Sequence, residues 1–512
     1  MLGVLLVFPW LNPWSSGPMP AAIPWLLCAG CASLVWALRF GLTQRVVVVA
    51  WWVAALLSAA IALLQYFGYA HLLSGWVNHA DIGDAYANLR QRNQFATLTS
   101  IGLLALICQL TRDDPNDLDD LDVRSPWPLR WVLGLGGVLL LALGNAASGS
   151  RTGWLQWWLV AILALLWWWR AEQEKSAAGA IDLSGAHRRR SALLALAALG
   201  CYLAATWGLP VLLEATTGFR SDGLLGRFRD DEGCGGRRLL WSNVLYLIAQ
   251  RPWLGWGWGE LDYAHFVTLY PGARFCDILD NAHNLPLHLA VELGIPLALA
   301  ACGALAWLVW RARPWRERDA SRQLAWGVLA VVGLHSLVEY PLWYGPFQIA
   351  VGLCLWLLWH KPLQRQYFSD AFWSPAHARQ AQAAIVFISF LAYVGWDYWR
   401  ISQIYQSPSM RAEAYRSDTL NKVRNTWFFQ NQVRFAELTT TPVTSGNAQY
   451  LHALAQDLLH FSPEPRVVEK LIESAVLLKQ DEEALFFLQR FRAAFPQQHA
   501  QWANPANSAA LP

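Results

Sequence analysis

Apolar runs of about 20 residues recur along this chain as far as residue 398, and that is the length a helix needs to cross a bilayer. They fall at roughly 21–38, 46–67, 95–110, 129–146, 153–169, 191–209, 285–310, 324–340, 346–360 and 382–398. Residues 1–11 form one more apolar segment, short for a span, so about eleven spans are expected, or ten without it. That first segment lacks a basic start and a small-residue cleavage site and is not read as a cleaved signal peptide. Composition agrees: 55% of the chain is hydrophobic and 15% charged, where a soluble protein carries about 25% charge. The expectation is an all-α polytopic membrane protein. Net charge of +3 with no basic stripe gives no footprint for nucleic acid.

Basic residues set the expected orientation. Arg311, Arg313, Arg316, Arg318 and Arg322 crowd one short loop, and Arg170, Lys175, Arg188, Arg189 and Arg190 another. Arg39 and Arg45 flank a third, and Lys361, Arg365 and Arg379 a fourth. Alternating spans put all four on one side, read as the cytoplasm. The loop at 111–128 falls there too but is acidic, with Asp113, Asp114, Asp117, Asp119, Asp120 and Asp122, and supports nothing. The polar loop of about 210–284 and the tail then face outward, which in a bacterium is the periplasm. Two regions follow: a membrane part over 1–399, loop included, and a polar tail over 400–512. In the tail, residues 450–459, 467–478 and 482–491 read as amphipathic helices, in the manner of tetratricopeptide hairpins without a clear period. The bland reading of the tail is a helical cap; the other is a partner-docking surface.

Six of the eight cysteines lie in apolar runs, where cysteine acts as a small hydrophobe. Cys28 and Cys31 have CxxC spacing without a second ligand pair, so they are not read as a metal site. Cys234 and Cys276 both lie in the polar loop, and are in place to pair if it faces an oxidising compartment.

Polar groups near span ends ask for a reason. Gln91-Arg92-Asn93-Gln94-Phe95-Ala96 opens one span and offers amide and guanidinium donors, either as an interfacial cap or to a phosphate or sugar. Ser148-Gly149-Ser150-Arg151-Thr152-Gly153 opens another, with Arg151 outward against the basic-inside bias; a helix N-terminus plus arginine suits an anion, and a snorkelling arginine is the plain alternative. Arg237 and Arg238 start a helix whose Leu240, Val244, Leu247 and Ile248 share a face, read as lying along the outer membrane surface. They are solvated charges or contacts to a lipid diphosphate. The Gly-rich stretch 251–259 has no GK[ST] and is read as a tight interfacial turn rather than a phosphate loop.

The organising stretch is Asn281-Ala282-His283-Asn284, where the polar loop enters an apolar run. A lone interfacial histidine is usually structural. This one stands among Asn281, Asn284 and His288, and a pKa near about 6.5 suits a general base. Glu292, nine positions on, points to another helix face and is expected to pair elsewhere. His335 and Glu339 are i,i+4 and are expected on one face, as a hydrogen bond or part of a pocket wall, with Tyr340 reaching ligand.

The polar loop ending in His283-Asn284-x-x-Leu287, followed by Glu292-x-Gly294, resembles the bacterial O-antigen ligase and polymerase group. The stretches 91–96 and 335–344, and the polar tail, resemble its protein O-oligosaccharyltransferase, or pilin-glycosylating, branch. The resemblance implies a GT-C-like fold at the bacterial inner membrane, with its active site facing the periplasm. It implies a glycan donor on undecaprenyl diphosphate and transfer en bloc to a Ser or Thr of a periplasmic protein such as pilin. It carries the catalytic role to His283 and implicates Gln91 or Gln94 and Tyr340. Outward arginines bind diphosphate in the ligases; Arg237 or Arg238 matches. The expected reaction is single displacement with inversion, His283 as base, without cofactor or metal, since no outward Asp/Glu cluster has metal-ligand spacing. The rival readings are transfer to lipid A-core, glycan polymerisation and, from another class, a transporter. Against the last, the polar groups gather at one face and no repeat is detected.

Overall fold

The computed structural model describes residues 1–111, 127–178, 184–221, 223–227, 233–359 and 375–504. The acidic run from Asp113 to Asp122, and Lys361 and Arg365, lie outside the described residues. The fold is all-helical: 74% of it is helix, and the described residues hold no strand. In order come α1 (Leu2–Leu11), α2 (Ala22–Ala37), α3 (Gln44–Tyr66), α4 (Arg92–Thr111), α5 (Trp127–Ser148), α6 (Arg151–Ala178) and α7 (Ser184–Thr217). Then follow α8 (Gly223–Arg227), α9 (Arg237–Gln250), α10 (Leu261–Val267), α11 (Leu285–Leu293), α12 (Ile295–Ala312), α13 (Ala320–Ser336), α14 (Gly345–Trp359) and α15 (Pro375–Ser402). The tail adds α16 (Thr419–Val423), α17 (Gln430–Thr440), α18 (Ala448–Leu459), α19 (Pro465–Leu477), α20 (Asp481–Ala494) and α21 (Pro496–Ala503).

Each apolar segment of the sequence holds a helix. Among the described residues six are long and apolar enough to cross a membrane: Gln44–Tyr66, Arg92–Thr111, Trp131–Ser148, His187–Thr217, Ile295–Arg316 and Ala378–Tyr405. This is an integral, polytopic membrane protein. One expected span needs correction. The run 285–310 is two helices, broken at Gly294, whose φ of 87° is a left-handed conformation that ends α11 before α12 starts.

The chain forms two compact units that interleave in sequence. The first holds Met1–Ser15, Ala21–Asp230 and Ala306–Leu391; the second holds Ser16–Pro20, Asp231–Leu305 and Ala392–Pro512. The loop from residue 231 thus groups with the tail, where the sequence had suggested a cut at 400, inside what is now α15.

In the first unit α4 is the central helix: 94% of its apolar window is buried, against 50% for α3 and for α5. Small residues let its neighbours close in; a side chain at Gly102 would overlap the Cβ of Ala55. A helix enclosed on all sides has no lipid-facing stripe, so its polar residues Gln94, Thr97, Thr99 and Ser100 are buried and need partners inside the bundle.

The second unit has two cores that share α10. Leu261 and Ala264 pack with Leu240, Val244, Leu247, Phe275, Ala282 and Val291 of the loop. Phe266 packs with tail residues such as Leu451, Leu454, Leu458, Leu471 and Phe491. The tail helices form because Leu451, Leu454, Ala455 and Leu458 recur at helical spacing and bury one face. Cys234 and Cys276 are joined as a disulfide, Cα atoms 5.4 Å apart, closing the loop over 42 positions.

Candidate active site

In the first unit three of the polar clusters meet. The 78–88 segment before α4 is held by the buried amide of Gln65, which donates to Asn78 O and Ala87 O, both at 2.9 Å, and accepts from the Tyr86 and Ala87 amides. Asp84 forms an ion pair with Arg92. Gln91 Nε2 and Asn93 Nδ2 donate to the two carboxylate oxygens of Glu339, each at 3.1 Å. Asn93 Oδ1 in turn accepts from Ser150 Oγ at 2.7 Å, and Ser150 Oγ accepts from Gly153 N at 3.0 Å as the cap of α6. Ser150 therefore ties the second cluster to the first and leaves half-buried Arg151 as the first residue of α6.

Beneath this lies a buried network. Thr97 Oγ1 is 2.9 Å from His335 Nδ1 and donates to Asn93 O at 2.8 Å. Gln156 Nε2 donates to Thr97 Oγ1 at 2.8 Å and to Val331 O at 3.0 Å, and its Oε1 accepts from Ser100. Gln65, Thr97 and Gln156 were not singled out from the sequence. Their signal was present, since an amide or hydroxyl in an apolar run must find a partner, but the partner's identity was not.

The expectation that His335 and Glu339 share a helix face is corrected. α13 ends at Ser336, and the turn at 337–340 sends Glu339 to Gln91 and Asn93 while His335 stays against Thr97. Proline at 341 favours that ending, because it disfavours helical geometry in the residue before it. Tyr340 is half-buried and stacks on Tyr344 at 5.7 Å between centroids. Gln94 is 3% exposed, inside α4. Of the two glutamines, Gln91 is the one at the carboxylate.

The second unit holds the histidine site. His283 sits at φ 48°, a strained left-handed conformation for a non-glycine residue. Local bonds fix it there. Its amide donates to Asn281 Oδ1 at 2.9 Å, and Asn284 caps α11 by accepting from Leu287 N at 3.0 Å. Trp241 Nε1 donates to Ala282 O at 3.1 Å, anchoring the residue before His283 to α9. Arg237, at the start of α9, is one helical turn from Trp241 and half-buried, whereas Arg238 is exposed. Leu240, Val244, Leu247 and Ile248 are buried on one face, as their spacing implied.

Glu292 does not look to another helix for its partner. It lies 3.6 Å from His288 in its own helix, both side chains almost fully enclosed, and accepts from the Gly259 amide. Burial dominates this pair: it pushes Glu292 up to about 7 and His288 down to about 4, so both favour their neutral forms. The Gly-rich turn sits against α11. Trp256 N donates to Val291 O and Gly257 N to Glu292 O, each at 2.9 Å. Gly255 has φ 69°, and a side chain there would run into the Glu292 carbonyl.

An all-helical membrane protein with polar clusters at helix ends and a histidine held at a loop-to-helix junction is the class defined so far. Comparison with known families narrows it. Residues 85–107 match the family model described as protein glycosylation ligase, 136–302 that of O-antigen ligase, and 323–510 that of virulence factor membrane-bound polymerase, C-terminal. These matches support the O-antigen ligase superfamily and, within it, the protein-glycosylating branch. The chain is 24% identical over 310 residues to the general O-oligosaccharyltransferase of Acinetobacter baylyi, a match covering 59% of this chain and 48% of that relative, so the matched region spans about half the relative's length. No solved structure matches.

Proposed function

We propose that this protein is an inner-membrane glycosyltransferase that moves a glycan en bloc from undecaprenyl diphosphate to a Ser or Thr hydroxyl of a periplasmic protein such as a pilin. The observation that carries the reading is the local construction around His283. A strained backbone, an amide bond to Asn281, the Asn284 cap and the Trp241 anchor hold one imidazole at the mouth of α11. Such fixing is what general-base catalysis demands of a proton acceptor. The likeness to a general O-oligosaccharyltransferase and the match to a protein glycosylation ligase model support the acceptor class.

In this reading the acceptor hydroxyl attacks the anomeric carbon, His283 takes its proton, and the lipid diphosphate leaves with the bonding electron pair. A single displacement inverts the anomeric centre. Diphosphate is a weak base and leaves without a protein acid; arginine neutralises its charge, so the reaction proceeds without a metal. Arg237 is assigned that role over Arg238, since it lies one turn from the Trp241 that bonds Ala282. Within the first unit, Gln91, Asn93, Glu339, Arg92, Arg151 and Tyr340 are assigned, by themselves, as a polar cluster for glycan oxygens, with buried His335 behind them. The disulfide between Cys234 and Cys276 supports placing the loop in an oxidising compartment.

The test uses a bacterial host lacking its own ligase, given this chain, a lipid-linked glycan pathway and a candidate pilin. Glycan mass on the pilin, absent with His283→Ala and unaffected by a chelator, is expected. Glycan on lipid A with none on pilin would make the protein a ligase; a chelator that abolishes transfer with the protein still folded would overturn the metal-free step.

A further inference from the structure

Within the second unit, an open groove of about 430 Å³ runs between the 250–256 turn, α10 and α20. Pockets that hold small ligands span roughly 300–1,000 Å³. Its walls carry Arg251, Arg490, Trp256, Tyr263 and Phe486, and among the described residues no carboxylate lines it.

The two arginines are held rather than loose. Arg251 lies over the Trp256 ring at 4.1 Å from its centroid. Arg490 lies over Phe486 at 3.2 Å, and donates from Nε to Val267 O at 2.7 Å and from Nη1 to Phe486 O at 2.9 Å. Stacking fixes each guanidinium plane and leaves donors at its edge for an anion. Tyr263 stands between them: burial raises its phenol and Glu260 adds to that, while Arg251 and Arg490 both oppose. Its ring stacks on His460 at 4.0 Å, and His460 Nδ1 bonds Glu260 at 2.7 Å, so the phenol is oriented from behind. The site therefore combines two fixed cations, a phenol hydroxyl and aromatic surface in a concave, open channel.

We propose that this groove is a saccharide subsite for a sugar bearing a carboxylate, engaged by Arg251 and Arg490 with Tyr263 between them. Guanidinium pairs select a planar carboxylate, the phenol serves ring hydroxyls, and aromatic edges meet the apolar faces of a sugar. Capture of a peptide by strand pairing is disfavoured, because the described residues offer no strand edge; other peptide modes are an outcome of the test. The proposal rests on the glycan-transfer reading only for why a saccharide is present. The site sits on α10, whose Leu261 and Ala264 share a core with Ala282, the residue before His283.

The experiment is a binding one. Purified full-length protein in detergent is titrated with a trimer of hexuronic acid, the same trimer with its carboxyls reduced, an acidic peptide and inorganic diphosphate, followed by calorimetry. The uronate trimer is expected to bind at least ten-fold more tightly than the other three, to weaken with added salt, and to lose at least ten-fold in Arg251→Gln. Arg251 is exposed; Arg251→Gln and Arg490→Gln are each read beside a thermal midpoint, because Arg251 stacks on Trp256 and Arg490 also holds α10. Equal binding of the reduced trimer overturns the charge assignment, tighter peptide binding makes the groove a peptide site, tighter diphosphate binding makes it a phosphate site, and no binding removes the subsite. None of these outcomes bears on transfer to pilin, which is scored separately.

Discussion

Gln91 donates to Glu339 across 248 positions of sequence, and Asn93 fills the other oxygen of the same carboxylate. One acidic side chain thus closes the start of α4 against the turn after α13. Glu339 is 5% exposed, so the contact is sheltered and its loss is costly. Glu339→Ala leaves two amides without their acceptor, at roughly 1–3 kcal/mol each. Glu339→Gln keeps the shape and one acceptor oxygen but turns an NH2 toward the other amide, so it loses one of the two bonds and is expected to cost less. A double-mutant cycle with Gln91→Ala, read by thermal midpoint in detergent, is expected to show coupling of about 0.5–3 kcal/mol. Additive effects would mean the contact contributes nothing.

His283 and Asn284 are adjacent but separable. Asn284 caps α11, so Asn284→Ala is expected to cost about 1 kcal/mol of stability, and Asn284→Ser to restore most of it. His283→Ala removes an imidazole and keeps Ala282 anchored to Trp241. It is expected to leave the melting temperature within a degree or two and to abolish glycan transfer. Should it melt as badly as the cap variant, His283 would be structural.

Much of this was readable from the chain, and what was not has physical reasons. Apolar runs forecast helices because lipid offers no other partner for the backbone. The clusters at 91–96, 148–153 and 335–340 were visible as polar groups at span ends. Their convergence was not, since it depends on which helices pack, and spacing carries no record of that. The helix break at Gly294 had a local signal, glycine with Pro296 two residues on, which the apolar run outweighed. The i,i+4 spacing of His335 and Glu339 misled because it presumes a helix that stops at Ser336. The grouping of loop with tail rests on α10, seven residues long, too short to show a period.

Gly255 faces the end of α11, where its left-handed φ and the Glu292 carbonyl both exclude a side chain. Backbone cannot move aside as a rotamer can. Gly255→Ala is expected to destabilise by more than about 2 kcal/mol, by strain and by loss of the bonds from Trp256 and Gly257 to α11. Limited proteolysis should then cut within 251–259, where the wild type resists. Gly272, with open space around it, is the control: Gly272→Ala is expected to change little.

Asp262 makes the loop unit sensitive to pH. Burial, with help from the like charges of Glu260 and Asp280, pushes its carboxyl up to about 7 from an ordinary 3.8, against the opposing bond from Tyr263 N. Glu292 is pushed the same way, also to about 7, chiefly by burial. A carboxyl raised in the fold binds its proton more tightly there than in the unfolded chain. Its contribution to stability is therefore full below about pH 4 and lost as pH rises through 7. His288, lowered to about 4, works in reverse: its contribution is present above its ordinary 6.5 and lost as pH falls toward 4. The two slopes oppose each other below pH 6.5, and only the carboxyls remain above it. Stability should thus fall from pH 6.5 to 8. Each pH unit of displacement is worth about 1.4 kcal/mol, which caps the Asp262 effect near 4 kcal/mol; its partial exposure brings the expected figure to about 1–2 kcal/mol. Asp262→Asn keeps an oxygen for the Tyr263 amide and cannot ionise. Melting curves of wild type and variant should coincide near pH 4, separate progressively as pH rises to 7 and stay apart at pH 8, with the variant the more stable. Curves that run parallel throughout would show that Asp262 titrates normally and that the loop core does not shield it.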